Sequence, residues 1–270
     1  MVGGCINSAN STTSGVNDMD IRAQRILITG GCGGIGLGTG EYFAKLGKQV
    51  ILVDRSTEAA SDLMRRFDNI SCIELDLADH AAVDRRIGAL IASGEAPDAL
   101  VNGAGWSPKY DEDGKTWKPW TMPMSHWSAV MAVNVDASFN MCRLLLPSMI
   151  ANNYGRIVNI ASLAARTGGG VAPVHYVTGK AAILGMTKGI AKDVGQYNIT
   201  VNAINPGRID TPMIRDVSDE VNAAYAARIP LGRLGTPLDV AHTIAYLFSD
   251  HADYLTGTTI EVNGGLFMGP

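Results

Sequence analysis

A tyrosine and a lysine four residues apart, in the stretch VHYVTGKAAILG at residues 174–185, have a spacing that can support proton transfer. Residues i and i+4 lie on one face of a helix, so Tyr176 and Lys180 would point the same way. A free phenol has a pKa of about 10, and a base at neutral pH needs it lowered by about 3 units, or roughly 4 kcal/mol. An ammonium about 4 Å away supplies about 4 kcal/mol at an effective dielectric constant of 20. The pair is therefore sufficient for a proton-transferring tyrosine, while a polar patch on a surface helix would have the same spacing.

Short β-branched runs alternate with longer helical segments after residue 21, which predicts an α/β fold with a doubly wound parallel sheet. The nearly continuous apolar character of the strands indicates a sheet buried on both faces. The predicted strands are 25–29, 49–54, 71–76, 98–102, 155–162, 199–206 and 258–263, and the predicted helices are 35–47, 81–94, 125–153, 176–195 and 237–250. We therefore expect about seven strands with helices on both faces, in one domain at 21–270 that follows a flexible tail at 1–20.

The overall composition argues against several classes of partner. The chain has 270 residues with a formal net charge of −4, and it contains no run rich in Lys and Arg that would bind nucleic acid. No apolar run approaches the roughly 20 residues that span a bilayer. The first 20 residues have neither the basic nor the apolar region of a signal peptide. We expect no nucleic-acid or membrane partner.

The cysteines and histidines predict neither disulfides nor a metal site. No C-x-x-C motif occurs, and the histidines are scattered, so no metal is expected. The cysteines are Cys5, Cys32, Cys72 and Cys142, and the histidines are His80, His126, His175, His242 and His251. Unpaired thiols are typical of a reduced, intracellular protein, so we expect a cytoplasmic location.

A glycine cluster, TGGCGGIGLGTGEYF, follows the first predicted strand and opens the first helix. Glycines such as Gly30, Gly34 and Gly36 permit a tight turn and let backbone N–H groups approach a pyrophosphate at a helix N-terminus. In this position of an α/β chain the cluster predicts dinucleotide binding, although a plain strand-to-helix turn is the simpler alternative.

Acidic residues at the ends of the next two strands refine the predicted cofactor. Asp54 ends the second strand, where a carboxylate would bind the adenosine ribose hydroxyls and repel a 2′-phosphate, which favours NAD over NADP. Asp54 would also be placed to cap the following helix, and the neighbouring Arg55 is a residue type that accepts a 2′-phosphate. Asp76 ends the third strand near the expected adenine position, and the turn NGAG at 102–105 follows the fourth.

Together these motifs resemble the short-chain dehydrogenase/reductase family over residues 24–267. The resemblance rests on TGGCGGIG, Asp54, Asp76, NGAG, VNVDASF, NIASLAA, YVTGK, NPGRIDTPM and YLTGTTIEVNGG, in this order. Two departures are mild: NGAG stands where NNAG is commoner in the family, and Gly33 stands where NADP-using members often have arginine or another polar residue. The resemblance implies a Rossmann-type fold, a nicotinamide cofactor and a homotetramer, or a homodimer.

The resemblance also implies a catalytic set formed by Asn134, Ser162, Tyr176 and Lys180. Ser162 ends the fifth predicted strand, where open parallel sheets bind ligands, and its hydroxyl would hold the substrate oxygen. Asn134 would bind a structural water that links Lys180 to solvent, and Lys180 would bind the nicotinamide ribose. The expected reaction is NAD-dependent oxidation of a secondary alcohol to a ketone, in which Tyr176 takes the alcohol proton.

The cofactor groove and substrate pocket are expected to involve residues at the ends of several strands. The predicted cofactor residues are Gly30, Gly33, Gly34, Ile35, Gly36, Asp54, Arg55, Asp76, Leu77, Asn102, Ala104, Gly105, Tyr176, Lys180, Pro206, Gly207, Ile209 and Thr211. The predicted substrate-pocket residues are Trp106, Ser162, Tyr176 and Arg208. The long loop 106–126 either lines the site or forms a surface or subunit contact, and the segment 208–233 resembles the family's substrate lid.

Two points about the substrate stay open at the level of sequence. Arg166, His175, Arg208 and Arg215 suggest an acidic or polar hydroxy substrate, although solvated surface charge explains each of them singly. The alternative activity within the family is a ketoreductase acting on 3-oxoacyl thioesters with NAD(P)H. A remote alternative is a non-catalytic dinucleotide-binding scaffold, which would not be expected to keep Ser162, Tyr176 and Lys180 together.

Overall fold

Seven parallel strands form one sheet in the order β3-β2-β1-β4-β5-β6-β7. The computed structural model describes residues 20–169, 172–212 and 219–269. Its strands are β1 (Arg25–Thr29), β2 (Gln49–Asp54), β3 (Ile70–Glu74), β4 (Ala99–Asn102), β5 (Gly155–Ile160), β6 (Ile199–Pro206) and β7 (Thr259–Val262). The chain winds outward from β1 in one direction and from β4 in the other, so the strand order reverses between these two strands. Ligands bind at such reversal points, beyond the carboxyl ends of the strands.

Helices cover both faces of the sheet. They are α1 (Gly34–Lys45), α2 (Ser61–Arg66), α3 (His80–Ala92), α4 (Met124–Met131), α5 (Ala137–Ala151), α6 (Ala164–Thr167), α7 (Val174–Val194), α8 (Asp219–Ala226) and α9 (Pro237–Phe248). One core cluster joins α1 and α9 to the sheet through Phe43 and Phe248, whose rings lie 5.6 Å apart. The second cluster joins α3 and α5 to the other face through Ile87, Met141 and Leu145. The predicted doubly wound parallel sheet of seven strands is confirmed.

One long helix carries a local defect that serves the site. The segments α4 and α5 form a continuous helix, Met124–Ala151, interrupted by a π-helical turn at Ala132–Asp136. By length and composition this helix is a candidate membrane span, which the sequence-based expectation did not anticipate. Its two halves pack against α3 and α7, so much of its apolar surface lies within the protein. The π-turn contains Asn134, one of the residues that the sequence predicts for the catalytic set.

Within the described residues the predicted elements match the observed ones closely, but the short helices α2, α6 and α8 were not predicted. Three strands have the predicted bounds, and the remaining ends differ by one or two residues. The predicted tail at 1–20 lies outside the described residues except for Asp20, and so does the middle of the predicted lid, residues 213–218.

Candidate active site

The glycine turn between β1 and α1 is built so tightly that side chains would not fit. A Cβ on Gly36 would lie 2.2 Å from the carbonyl oxygen of Gly30, and a Cβ on Gly30 would lie 2.8 Å from the backbone of Ala104. Gly30 also has φ +65°, a conformation that glycine adopts readily. These glycines bring the turns after β1 and β4 into contact. Gly33 begins α1 with no side-chain cap, which leaves the helix N-terminus available to an anion.

Asp54 lies beside this turn. Its carboxylate accepts hydrogen bonds from the backbone N–H of Cys32 at 3.0 Å and of Arg55 at 2.8 Å. The carboxylate is therefore fixed at the end of β2 next to the glycine turn, as expected for a ribose-binding group, and its remaining lone pairs are sufficient for two hydroxyls. Asp76 is exposed after β3, where it accepts a hydrogen bond from the N–H of Ala78 at 2.9 Å.

The turns after β4 and β6 complete the groove, with some side chains turned away from it. Asn102 is buried and donates to Asn159 Oδ1 at 2.9 Å, so its amide stabilises the sheet and only its backbone is available to a cofactor. The side chain of Leu77 is likewise buried in the core. After β6, Thr211 packs directly against the glycine turn. A Cβ on Gly34 would lie 2.6 Å from the side chain of Thr211. Pro206, Gly207 and Ile209 lead into this contact, and Ile209 forms a parallel bridge with Gly235. These features fit a dinucleotide held across the ends of the strands.

Lys180 is buried at the centre of the site. Its Nζ donates to the carbonyl oxygen of Ile160 at 2.8 Å, and burial lowers the pKa of this lysine to about 8. A Cβ on Gly105 would lie 3.1 Å from Nζ, so the turn after β4 passes close to the lysine at this point. The lysine therefore joins the end of β5 to the end of β4.

Asn134 lies in the π-turn and forms hydrogen bonds with the backbone at the start of loop 106–126. Its Nδ2 donates to the carbonyl oxygens of Trp106 at 2.8 Å and Val130 at 3.0 Å, and its Oδ1 accepts from the N–H of Trp106 at 3.0 Å. The position of a Cβ on Gly105 lies 3.0 Å from Oδ1 and 3.1 Å from Lys180 Nζ, so both side chains converge on one point. Asn134 thus fixes Trp106 beside the lysine.

Tyr176 lies on the first turn of α7, near Ser162 at the end of β5. Burial raises the pKa of Tyr176, and the interaction with Ser162 acts in the opposite direction with a smaller effect. Lys180 Nζ lies 5.9 Å from the centre of the tyrosine ring. The net lowering of the tyrosine pKa expected from the sequence is not found in this arrangement, because burial has the larger effect.

Arg166 and Arg208, two of the residues proposed to give the mouth of the site a positive charge, interact with other side chains of the protein. Arg166 forms an ion pair with Glu261 at 3.3 Å. Arg208 donates to Asn222 Oδ1 at 2.8 Å and stacks over the ring of Tyr225 at 4.8 Å. Arg215 lies outside the described residues. The described arginines therefore give little support to the hypothesis of an acidic substrate.

Two residues of loop 106–126, Trp117 and His126, lie near α7, although neither was among the predicted site residues. Their rings are 4.3 Å apart, and the ring of His126 lies 5.1 Å from that of His175, the neighbour of Tyr176. The usable signal was the length of loop 106–126, which leaves enough chain to fold back over α7. Within the part of the chain that the structure describes, no group of three or more His, Cys, Asp or Glu is placed to hold a metal ion.

A doubly wound sheet, a glycine turn at its reversal point and a Ser-Tyr-Lys group at the carboxyl ends of its strands define an oxidoreductase that uses a nicotinamide dinucleotide. A family model described as "Enoyl-(Acyl carrier protein) reductase" matches residues 30–267. The chain belongs to the short-chain dehydrogenase/reductase family.

Similar proteins cover nearly the whole chain. The 3-oxoacyl-[acyl-carrier-protein] reductase of Aquifex aeolicus is 34% identical over 255 residues, which are 93% of this chain and 100% of the relative. That of Escherichia coli is 32% identical over 253 residues, with the same coverage. A crystal structure of a 3-oxoacyl-[acyl-carrier protein] reductase from Brucella melitensis is 35% identical, with a TM-score of 0.84 over 91% of this chain and 92% of that one. A second Brucella melitensis structure, described with bound NAD, is 34% identical, with a TM-score of 0.81 and the same coverage.

Proposed function

We propose that this protein reduces the ketone of a 3-oxoacyl thioester to a 3-hydroxyacyl thioester, using a reduced nicotinamide dinucleotide. The observation that carries this proposal is the placement of Tyr176 and Lys180 at the carboxyl end of β5, where Lys180 Nζ bonds the carbonyl oxygen of Ile160 and lies 5.9 Å from the centre of the tyrosine ring. A phenol is protonated at neutral pH at its ordinary pKa of about 10, and burial shifts the pKa of Tyr176 further upward, so the site holds the protonated form that reduction of a ketone requires. The similarity to 3-oxoacyl-[acyl-carrier-protein] reductases over nearly the full length supports the same substrate class.

The residues of the site have distinct tasks in this reaction. Ser162 and Tyr176 donate hydrogen bonds to the ketone oxygen and so stabilise the negative charge that develops there. The bound cofactor supplies the hydride. Tyr176 then delivers its proton to the oxygen, which completes the alcohol. Lys180, near the tyrosine ring, favours the phenolate that remains, and its own pKa of about 8 allows it to pass a proton at neutral pH.

A second candidate function is the NAD-dependent oxidation of a secondary alcohol. Asp54 favours it, because the fixed carboxylate beside the glycine turn repels a 2′-phosphate and NAD is the usual oxidant of such enzymes. In this direction Tyr176 must lose its proton first, and burial works against that step. We therefore rank reduction first and propose NAD(H) as the preferred cofactor in both directions.

A substrate screen separates the two candidates. The protein is incubated at neutral pH with NADH or NADPH and the S-butyl thioester of 3-oxobutanoate, and consumption of the reduced cofactor is followed by absorbance. The expected result is turnover of the thioester at a kcat/KM at least about tenfold above that of 2-pentanone, with NADH preferred. If the thioester is not reduced while NAD supports oxidation of secondary alcohols, the second candidate replaces the first.

We also propose that the protein assembles as a homotetramer or homodimer through α5 and α7. Phe139 on α5 is 54% exposed, which is unusual for a phenylalanine, and Gly185 and Gly189 on α7 have open space where a side chain would stand. Such a smooth helix face permits close packing with another helix. Light scattering on the purified protein tests this, and a monomer at micromolar concentration would contradict it.

A further inference from the structure

The side chain of Arg208 joins the end of β6 to helix α8. Arg208 lies two residues after the last residue of β6, Pro206, and its Nε and Nη2 both donate to Asn222 Oδ1, at 3.3 Å and 2.8 Å. Its guanidinium also lies over the ring of Tyr225, 4.8 Å from the ring centre. Asn222 and Tyr225 are three residues apart on α8, so they share one helix face. We call these three side chains, Arg208, Asn222 and Tyr225, the Arg208 clasp.

The Arg208 clasp is on the inward face of α8. Asn222 and Tyr225 are half-buried, whereas the two residues between them, Ala223 and Ala224, are exposed. Among the residues that the structure describes, no other helix and no strand packs extensively against α8. Arg208 is therefore a main contact through which the described part of the protein orients this helix.

The C-terminal end of α8 is fixed by a separate set of contacts. Ile229, three residues after the helix, is buried, and a Cβ on Gly264 in the turn after β7 would lie 2.6 Å from its Cγ2. The N–H of Leu231 donates to the carbonyl oxygen of Gly264 at 3.2 Å. A helix that is fixed at one end needs a second contact to set its direction, and the Arg208 clasp provides it.

Arg208 also lies close to the segment that carries Ser162. The N–H of Leu163, the residue after Ser162, donates to the carbonyl oxygen of Pro206 at 3.0 Å. The backbone of Arg208 is itself fixed, because its carbonyl oxygen accepts from the N–H of Gly235 at 3.0 Å. The clasp therefore holds α8 at the carboxyl ends of the strands, on the side of Ser162, where open parallel sheets bind ligands.

We propose that Arg208 is a positioning residue, which holds α8 in place as one wall of the substrate site. This inference rests on the proposed reduction of 3-oxoacyl thioesters, and it gives Arg208 a task that does not depend on a charge contact with the substrate. Without the clasp, α8 adopts other orientations and only a fraction of the molecules accepts substrate. The apparent KM then rises in inverse proportion to that fraction, whereas saturating substrate selects the competent orientation and restores kcat.

Arg228 provides a matched control for the clasp. Its guanidinium lies over the same ring, 5.6 Å from the centre of Tyr225. Arg228 follows α8 by two residues, so its contact with Tyr225 is local and does not join α8 to β6. Arg228→Met removes one cation from the ring and leaves the clasp, whereas Arg208→Met removes both a cation and the clasp. Arg208→Lys keeps the charge and loses the planar group that bonds and stacks at once.

The experiment measures kcat and KM with NADH for the S-butyl and S-(2-carboxyethyl) thioesters of 3-oxobutanoate, and the dissociation constant of NADH by titration. We expect Arg208→Met to raise KM about tenfold for both thioesters, as the loss of a charge-assisted hydrogen bond and a cation–π contact would produce. Its kcat and its dissociation constant for NADH should change less than about twofold. Arg208→Lys should raise both KM values at least about threefold, and Arg228→Met should leave them within about twofold of wild type.

Three results would refute the inference and leave the proposed function intact. The first is an unchanged KM in Arg208→Met. The second is a rise in KM that is confined to the carboxylate thioester and is reversed in Arg208→Lys, because Arg208 would then act through its charge on the substrate. The third is a joint fall in kcat and in NADH affinity, which would show general damage to the site.

A second pair of variants tests the clasp from α8 if Arg208→Met does not fold, as judged by thermal unfolding. Tyr225→Leu removes the stacked ring and should raise KM at least about threefold, whereas Tyr225→Phe keeps the ring and should leave KM within about twofold of wild type. Equal KM values for these two variants would refute the inference. If the wild type reduces neither thioester, the proposed function itself fails.

Discussion

Replacing Lys180 should remove activity and at the same time stabilise the fold at neutral pH. Burial lowers the pKa of Lys180 to about 8 from 10.5, so folding at pH 7 forces a protonated lysine into a site that favours the neutral form. The unfolded chain binds the proton more tightly than the native chain, and wild-type stability therefore rises with pH between about 8 and 10.5. The lowered pKa of Lys180 reduces the free energy of unfolding of the wild type by about 3 kcal/mol at pH 7. About 2 kcal/mol of this loss is regained by pH 10.

The substitution Lys180→Met keeps the apolar stem and removes the charge. It also leaves the Ile160 carbonyl without its hydrogen bond, which offsets about 1–2 kcal/mol of the gain. We expect Lys180→Met to unfold at a higher temperature than wild type at pH 7, and this advantage to disappear or reverse at pH 10. For a chain of this size, about 2 kcal/mol corresponds to a change in Tm difference of roughly 4–8 °C.

The assay is thermal unfolding of both proteins at pH 7, 8.5 and 10, with Lys188→Met as a control for losing an exposed lysine from the same helix. The Tm of the Lys188→Met control should change with pH in the same way as the Tm of the wild type. A difference in Tm between Lys180→Met and wild type that stays constant from pH 7 to 10 would refute the proposed burial effect on the Lys180 pKa.

Two further predictions concern the cofactor groove. Asp54→Ser should reduce the ratio of kcat/KM for NADH to that for NADPH by at least about tenfold, because the carboxylate at the ribose position is removed; an unchanged ratio in steady-state kinetics would exclude Asp54 as the selecting group. Gly36→Ala should weaken cofactor binding at least about tenfold and lower the Tm, because its methyl group would lie 2.2 Å from the Gly30 carbonyl oxygen. Gly88→Ala, on a helix surface with open space, should instead raise stability by about 0.5–1 kcal/mol, and equal effects of the two substitutions in unfolding experiments would contradict the tight turn.

The sheet could be predicted from the sequence because its strands are short, apolar and bounded by helical segments of a different period. QVILVD and ITVNAINP have the predicted strand bounds, since a strand buried on both faces leaves an uninterrupted apolar signal. The helix α2 was not predicted because its six residues are too few for a periodic pattern. The π-turn at Ala132–Asp136 was also not predicted. Its Asn134 forms a hydrogen bond with the backbone of Trp106, which is distant in sequence, so no local pattern indicates the turn.

In the site, as in the fold, the sequence predicted what depends on local spacing and did not predict what depends on tertiary packing. The i and i+4 spacing placed Tyr176 and Lys180 on one helix face, and the structure has Tyr176 near Ser162 and Lys180 Nζ 5.9 Å from the centre of the tyrosine ring. Spacing says nothing about burial, however, and burial sets the direction of both pKa shifts. The contacts of Trp117 and His126 with His175 likewise depend on how loop 106–126 folds back onto α7. No local sequence pattern predicts this folding.

The most direct test of the central claim is the rate of thioester reduction by Tyr176→Phe. The measurement is kcat/KM for the S-butyl thioester of 3-oxobutanoate with NADH, for wild type and variant, together with a binding titration of NADH. Because the phenol is the proposed proton donor, we predict a loss of at least about 100-fold in kcat/KM with NADH affinity changed less than about threefold. A variant that reduces the thioester as fast as wild type would contradict the account.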